Sequence, residues 1–480
     1  MNYRFIAYLL GWILNVQGVF LLVPSLVALY YKEGSGFAFL IAAGVSLGIG
    51  AIFTIRKPKN RNFYAKDGFL AVALGWVVLS VSGALPFVIS GEIPFIVDAL
   101  FETISGYTTT GATILTDVEA LSKCLIFWRS FTHFIGGMGI LVFVLCILPL
   151  AGGNNMHLMR AESPGPSVGK LVPRVRYTAI TLYGIYIALT ILECVLLLFG
   201  RMSFFDAMCT SFATAGTGGF GIRNSSMADY SIYIQNVVAV FMVIFGVNFS
   251  VFFLILVKRP IDALRSEEMR TYLMIILVAT FLIGINIRGD FSSIWMAFQQ
   301  AFFQVASIIT TTGFATTDFN LWPTFSKAIL ITLMFCGACA GSTGGGIKVS
   351  RIIIALRNMR NSIESFVHPK SVRIIRMDRK KVSDDIVRSV NTYIVLFLLL
   401  FVSSVLLISL EDYSFETCFT SVATTINNVG PGFGDVGPVE NFAKFNPFSK
   451  CVFMFDMLAG RLELIPMVIL FTPWLWKKNR

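Results

Sequence analysis

The chain has 480 residues, 56% of them hydrophobic and only 14% charged, with a mean hydropathy of +0.76. Soluble domains average about 25% charged residues, so a water-soluble fold is excluded and a polytopic membrane protein remains. The net charge of +11 gathers in segments 56–66, 160–176, 258–270, 348–388 and 477–480; the positive-inside rule makes these cytoplasmic, with both termini inside a multi-pass plasma-membrane (inner-membrane) protein.

In chain order, the first apolar run, 5–30, is long enough to span and shows no small-residue cleavage site, so it reads as a helix and not a signal. Residues 1–66 form a helical hairpin. After it one pattern occurs four times: a spanning segment, a short amphipathic stretch, a Thr/Asn/Gly-rich strand and a second spanning segment. The strands lie in "VDALFETISGYTTTGAT" (97–113), "FDAMCTSFATAGTGGFG" (205–221), "QQAFFQVASIITTTGFAT" (299–316) and "FETCFTSVATTINNVGPGFG" (415–434). The spanning segments before them are 68–90, 177–200, 271–288 and 391–410; those after them are 124–150, 232–257, 325–355 and 448–472. The predicted units are 67–171, 172–266, 267–386 and 387–480. Counting from Asp98, Asp206 and Gln300 to Gly111, Gly219 and Gly313 gives 13 residues each time; counting from Glu416 to Gly430 gives one more, leaving the fourth register open by one or two positions.

Each short stretch before the glycine is too short to span and reads as a re-entrant half-helix. The fold class is therefore all-α polytopic, with about ten spanning helices and four half-helices around a central pore. Non-helical backbone at membrane depth survives only when buried in protein or lining water. Four extended loops on one axis can offer carbonyls in place of a cation's hydration shell, and glycine permits the required backbone angles.

Further along, "GACAGSTGGGIK" (337–348) interrupts what should be one helix. Its five glycines each cost about 1 kcal/mol in a helix, so a movable constriction below the filter is expected. A nucleotide-binding loop is the rival, but Ile347 stands at the lysine position and no strand precedes it. Arg461 in "FDMLAGRLELIP" (455–466) is a charge inside a spanning segment and is expected to face a cavity; Arg129 is expected to snorkel at the interface. Cys336 and Cys339 sit in an apolar helix pattern, and His133, His157 and His368 are far apart, so neither set suggests a metal or redox site. No nucleophile–base pair suggests an enzyme, and nothing suggests nucleic-acid binding.

Together "TTTGAT", "GGF", "TTTGF", "NNVGPGFG", "GACAGSTGGGIK" and "GRLE" resemble the Trk/Ktr/HKT superfamily of potassium transporters over nearly the whole chain. The N-terminal hairpin and "GGMGI" (136–140) make it similar to the bacterial Trk type. The resemblance implies a K⁺ filter at Gly111, Gly219, Gly313 and Gly430, with carbonyls of Thr109, Thr110, Gly218, Thr311, Thr312, Asn428 and Val429 nearby. Glycine rather than serine at Gly111 favours potassium. It implies a gate at Gly337, Gly341, Ser342, Thr343, Gly344, Gly345 and Gly346, with Arg461 as pore arginine. It further implies a homodimer on a cytosolic ring of TrkA-like nucleotide-binding subunits, K⁺ as the transported ion and no organic cofactor. Arg223, soon after the second glycine, departs from the pattern and adds outer positive charge.

The function expected is channel-like potassium transport. The alternative is K⁺ coupled to H⁺ or Na⁺, for which the spanning segments offer few carboxylates: Glu193, Asp456 and Glu463. Segment 348–388 holds eleven Lys/Arg against four acids, more than topology needs, and is expected to meet membrane lipid or the regulatory subunit.

Overall fold

The computed structural model describes residues 2–58, 65–139, 175–368, 374–378 and 380–472. It is a helical polytopic membrane protein. Among the described residues six helices are long and apolar enough to cross a membrane, and a bent pair makes a seventh. Helices α1 (Tyr3–Tyr31) and α2 (Gly36–Thr54) form the N-terminal hairpin. Gly18 brings them close, since a Cβ there would meet the Leu47 side chain. The hairpin is fixed to the rest by Glu33, whose carboxylate accepts from Lys123 N (2.7 Å) and Cys124 N (2.9 Å). A carboxylate at a helix start satisfies amides that have no partner within the helix.

Four segments then share one order of elements. The long first helices are α3 (Ala65–Ser90), α6 (Val175–Phe199), α11 (Glu267–Asn286) and α15 (Asp384–Ile408). The short helices are α4 (Ile96–Tyr107), α7 (Phe204–Gly216), α12 (Ile294–Ile309) and α16 (Phe415–Asn427). Ser203, Ser293 and Ser414 start three of these through side-chain bonds to backbone N–H groups.

The second helices differ from expectation. Each was predicted to span, with a break in the third segment alone. Instead α5 (Lys123–Gly137), α8 (Ile232–Phe245), α13 (Thr324–Cys336) and α17 (Pro447–Arg461) all stop after 13–15 residues. At 1.5 Å per residue that is roughly 20 Å, short of a hydrocarbon core of about 30 Å. After α8 the chain turns by 90° into α9 (Phe249–Leu256), which leads through α10 (Pro260–Leu264) to α11. After α17 it passes Glu463 and Leu464, both at positive φ, into α18 (Ile465–Leu470). After α13 comes the 337–348 loop and then α14 (Val349–Val367). A two-stranded hairpin, β1 (Arg376–Met377) with β2 (Lys380–Lys381), precedes α15. Of the basic residues in 348–388, Lys370, Arg373 and Arg379 lie outside the described residues, as do most of segment 160–176 and the tail.

Candidate functional site

Each short helix ends in the same cap. Thr109, Thr217, Thr311 and Asn428 take left-handed backbone, with φ of 55°, 56°, 58° and 56°. The next residue donates its N–H five residues back: Thr110 to Ser105 O (2.9 Å), Gly218 to Ala213 O (2.9 Å), Thr312 to Ser307 O (2.8 Å) and Val429 to Thr424 O (2.8 Å). This six-to-one bond is a Schellman termination. Glycine or asparagine is usual at the left-handed position; a β-branched threonine there is strained and must be held by its surroundings. Gly111, Gly219, Gly313 and Gly430 follow, at φ of 78°, 74°, 87° and 98°.

These caps fix the fourth register at Gly430. Helix α16 begins fifteen residues before Gly430, as α7 does before Gly219 and α4 before Gly111, so no residue is inserted. Thr417, not Glu416, is the counterpart of Asp98, Asp206 and Gln300; the acidic neighbour misled the count.

The four loops close on one another. A Cβ on Gly111 would overlap Gly218 O, one on Gly219 would overlap Thr312 O, one on Gly313 would overlap Val429 O, and one on Gly430 would crowd Thr110 O. Each glycine thus abuts the carbonyl that precedes the next loop's glycine, and the fourth returns to the first. All four glycines line one cavity of about 140 Å³, together with Arg129 and Arg223. The ascending strands repeat the cycle above them: Asn224 Oδ1 accepts from Val118 N (2.8 Å), Met227 N donates to Ala315 O (2.9 Å), Gly434 N donates to Asn320 Oδ1 (3.0 Å) and Phe442 N donates to Thr113 O (2.8 Å). In this outer layer the Asn224 amide also holds the Asp117 carboxyl below its ordinary range.

Several side chains hold the loops from behind. Thr110 and Thr312 hydroxyls pair with Thr108 (2.8 Å) and Thr310 (2.7 Å). The Asn428 amide donates to Thr110 Oγ1 and Met457 O, both at 2.9 Å, joining the fourth loop to the first. Arg129 does not snorkel. It is 2% exposed, ion-paired to Glu102 at 2.7 Å, and lies 4.1 Å from the Phe220 ring. Glu102 also accepts from Thr113 Oγ1 (3.0 Å) and Ile114 N (3.1 Å). Two opposite charges in membrane-depth segments were the signal for this pair; considering Arg129 alone concealed it.

The 337–348 loop lies directly against the third and fourth filter-like loops. Gly345 N donates to Thr311 Oγ1 (2.6 Å), and a Cβ on Gly344 or Gly345 would meet Thr310 O or Asn427 O. Gly337, Gly341 and Gly346 have positive φ, and Ser342 Oγ donates to Cys339 O at 2.6 Å. Arg461 donates to Thr343 O (2.8 Å), Gly136 O (2.5 Å) and Gly137 O (2.8 Å), so it links this loop to the end of α5. Glu268 was missed in the sequence, where it resembles an ordinary acidic first-turn residue. One of its oxygens accepts from both Ala340 N (2.7 Å) and Ser350 N (3.1 Å), clasping the two ends of the loop. Lys348 is 2% exposed and bonded to Gly344 O. Arg351 is ion-paired to Glu463 and stacked 4.0 Å from the Tyr393 ring. These two charges are therefore internal and not part of an exposed surface.

The family model described as "TrkH: Cation transport protein" matches residues 35–478. The chain belongs to the TrkH family. Within that family it is 37% identical over 488 residues to the Trk system potassium uptake protein TrkH of Escherichia coli K12, with both chains covered in full. It is 34% identical to the Trk system potassium uptake protein TrkG of the same organism, over 99% of each chain. The crystal structure of the potassium transporter TrkH from Vibrio parahaemolyticus superposes with a TM-score of 0.90 at 34% identity, over 99% of this chain and 100% of that one.

Two predictions follow from this packing. Glu102→Gln leaves Arg129 buried without a counter-charge, which typically costs about 3–5 kcal/mol. Thermal unfolding of the purified protein should show a clearly lowered midpoint, and an unchanged midpoint would mean that the pair contributes no net stability. Glu268→Ala should speed amide exchange across 338–350 while leaving the half-helix caps protected; exchange equally slow in wild type and variant would show that the clasp is dispensable.

Proposed function

We propose that this chain is the potassium-conducting membrane subunit of a Trk-type uptake system. The observation that carries the reading is the closed ring of four glycine loops. A cation on the axis of such a ring meets backbone carbonyls from four chemically similar segments, which is how a filter replaces a hydration shell. In this reading Thr109, Thr110, Gly111, Gly218, Gly219, Thr311, Thr312, Gly313, Asn428, Val429 and Gly430 form the filter. The half-helix C-termini direct their partial negative charge towards the ion. The 337–348 loop obstructs the path below, held by Arg461, whose positive charge adds an electrostatic barrier. The potassium in the relatives' names supports the choice of ion. The word "system" in those names supports a multicomponent assembly, which we take to be a homodimer on a cytosolic nucleotide-binding ring. Cytoplasmic termini and basic loops belong to the same proposal.

Purified protein in proteoliposomes should take up rubidium down its own gradient, without a sodium or proton gradient. Uptake only when such a gradient is imposed would favour coupled symport. That second reading draws on Glu193, a fully buried carboxyl group in the long helix α6.

Gly313→Ser should lower the K⁺/Na⁺ permeability ratio, because its Cβ would overlap Val429 O and approach Pro431 at 2.9 Å while φ stays at 87°. Bi-ionic potentials equal to wild type would contradict the filter assignment. Arg461→Ala, or deletion of residues 344–346, should raise basal flux by releasing or shortening the obstruction. Unchanged flux through folded variants would place the constriction elsewhere.

A further inference from the structure

The second filter loop differs from the others in two ways. It has Gly218 where the first, third and fourth have Thr110, Thr312 and Val429. Its half-helix also has Ala213 where the third has Ser307, whose hydroxyl donates to Phe314 O (2.6 Å), the residue after the filter glycine. The second loop therefore has no such hydroxyl from its own half-helix for Phe220, the residue after Gly219.

His133, on α5 of the first repeat, occupies this position. It is fully buried. Its Nδ1 lies 2.7 Å from Gly106 O at the end of the first half-helix, and its Nε2 lies 3.2 Å from Phe220 N. A carbonyl oxygen can only accept and a backbone N–H can only donate. The neutral ring must therefore carry its proton on Nδ1 and present a lone pair at Nε2. The Phe220 ring is held between His133, with centroids 4.3 Å apart, and the Arg129 guanidinium one helical turn away. A Cβ on Gly218 would collide with the imidazole, and one on Gly216 with the His133 backbone. The glycine at 218 is thus the space that the ring needs, and the histidine anchors the residue after Gly219 through its N–H, where Ser307 in the third loop anchors the corresponding residue through its carbonyl.

We infer that His133, as its Nδ1–H tautomer, is the positioning residue of the second filter loop, and that it sets ion selectivity by locking Phe220 and Gly219 to the first half-helix. This rests on reading the four loops as a filter. A second bond to Nε2 is lost if the acceptor moves, and the loop is then free to rotate its carbonyls off the axis.

The chain has only three histidines, His133, His157 and His368, so nitrogen-15 NMR of histidine-labelled protein can test the tautomer directly. One ring should carry its proton on Nδ1 with a hydrogen-bonded, unprotonated Nε2, and that signal should vanish in His133→Gln. A His133 ring protonated on Nε2 would overturn the inference. Function is tested with three variants. His133→Gln places an acceptor near the Nε2 position and should keep most of the K⁺/Na⁺ permeability ratio. His133→Asn reaches only the Nδ1 position, and His133→Leu offers neither bond; both lose the bond to Phe220 N and should lower the ratio by about fivefold, the weight of that one hydrogen bond. Wild-type ratios in folded Asn and Leu variants, or equal losses in Gln and Asn, would also overturn it. If wild-type protein passes no rubidium at all, the filter reading fails while the tautomer result still decides the bonding.

Discussion

The close approach of each loop glycine to the next loop's carbonyl is the contact on which the other features depend. It occurs four times and returns to its start, through Gly111, Gly219, Gly313 and Gly430. A closed cycle cannot relax at one point without disturbing its neighbours. A side chain at any of the four positions would push a carbonyl outward, and glycine alone also tolerates the backbone angles found there. The left-handed threonines Thr109, Thr217 and Thr311 are a cost of this arrangement. They are held in place because each Schellman cap is packed between a half-helix and an adjacent loop. The buried Glu102–Arg129 pair and the Asn428 amide serve the same closure, since each joins groups that a loosened ring would separate.

Closure also accounts for the broken second helices. Helices α5, α8, α13 and α17 descend beside the half-helices and stop near the level at which the loops end. A continuous helix there would place side chains where the chain instead passes close to the four glycine loops. Gly136 and Gly137 show the tolerance available: a Cβ on the first would overlap Tyr107 O, and one on the second would lie 2.7 Å from Gly216 Cα. The orphan carbonyls left at such ends need donors. Arg461 supplies them to Gly136 and Gly137, and at the same time to Thr343 in the 337–348 loop. One guanidinium therefore answers a hydrogen-bonding deficit in the first segment and restrains the loop of the third.

The membrane class, the first helices and the half-helices were legible because hydropathy and length are strong signals. The break at 337–348 was legible because five glycines announce it. The breaks after α8 and α17 were not, since Gly246 alone and the Leu462–Glu463–Leu464 turn carry no composition signal. The fourth register was left open because Glu416 looked like the counterpart of Asp98, whereas helix start and cap geometry select Thr417. Glu268 and Arg129 were opaque for a different reason. Their roles depend on partners 72 and 27 residues away, and a single sequence contains no record of such pairings.

The charge excess of segment 348–388 reads differently once its partners are known. Lys348 and Arg351 are buried against Gly344 O and Glu463, and Arg357 is paired to Glu267. The last of these is partly exposed and contributes little by itself. The Arg351–Glu463 pair is more consequential, since separating a buried pair costs several kcal/mol. Through these bonds α14 is tied to the start of α11, to the end of α17 and to the loop it follows. Glu267 and Glu268 are adjacent, so the same helix start that receives Arg357 also clasps the loop at Ala340 and Ser350. A displacement of α14 thus reaches the loop through specific breakable contacts and not through a flexible tether. The side chains of Arg376, Lys380 and Lys381 in the hairpin are exposed, so their positive charge stays on the surface beside that linkage.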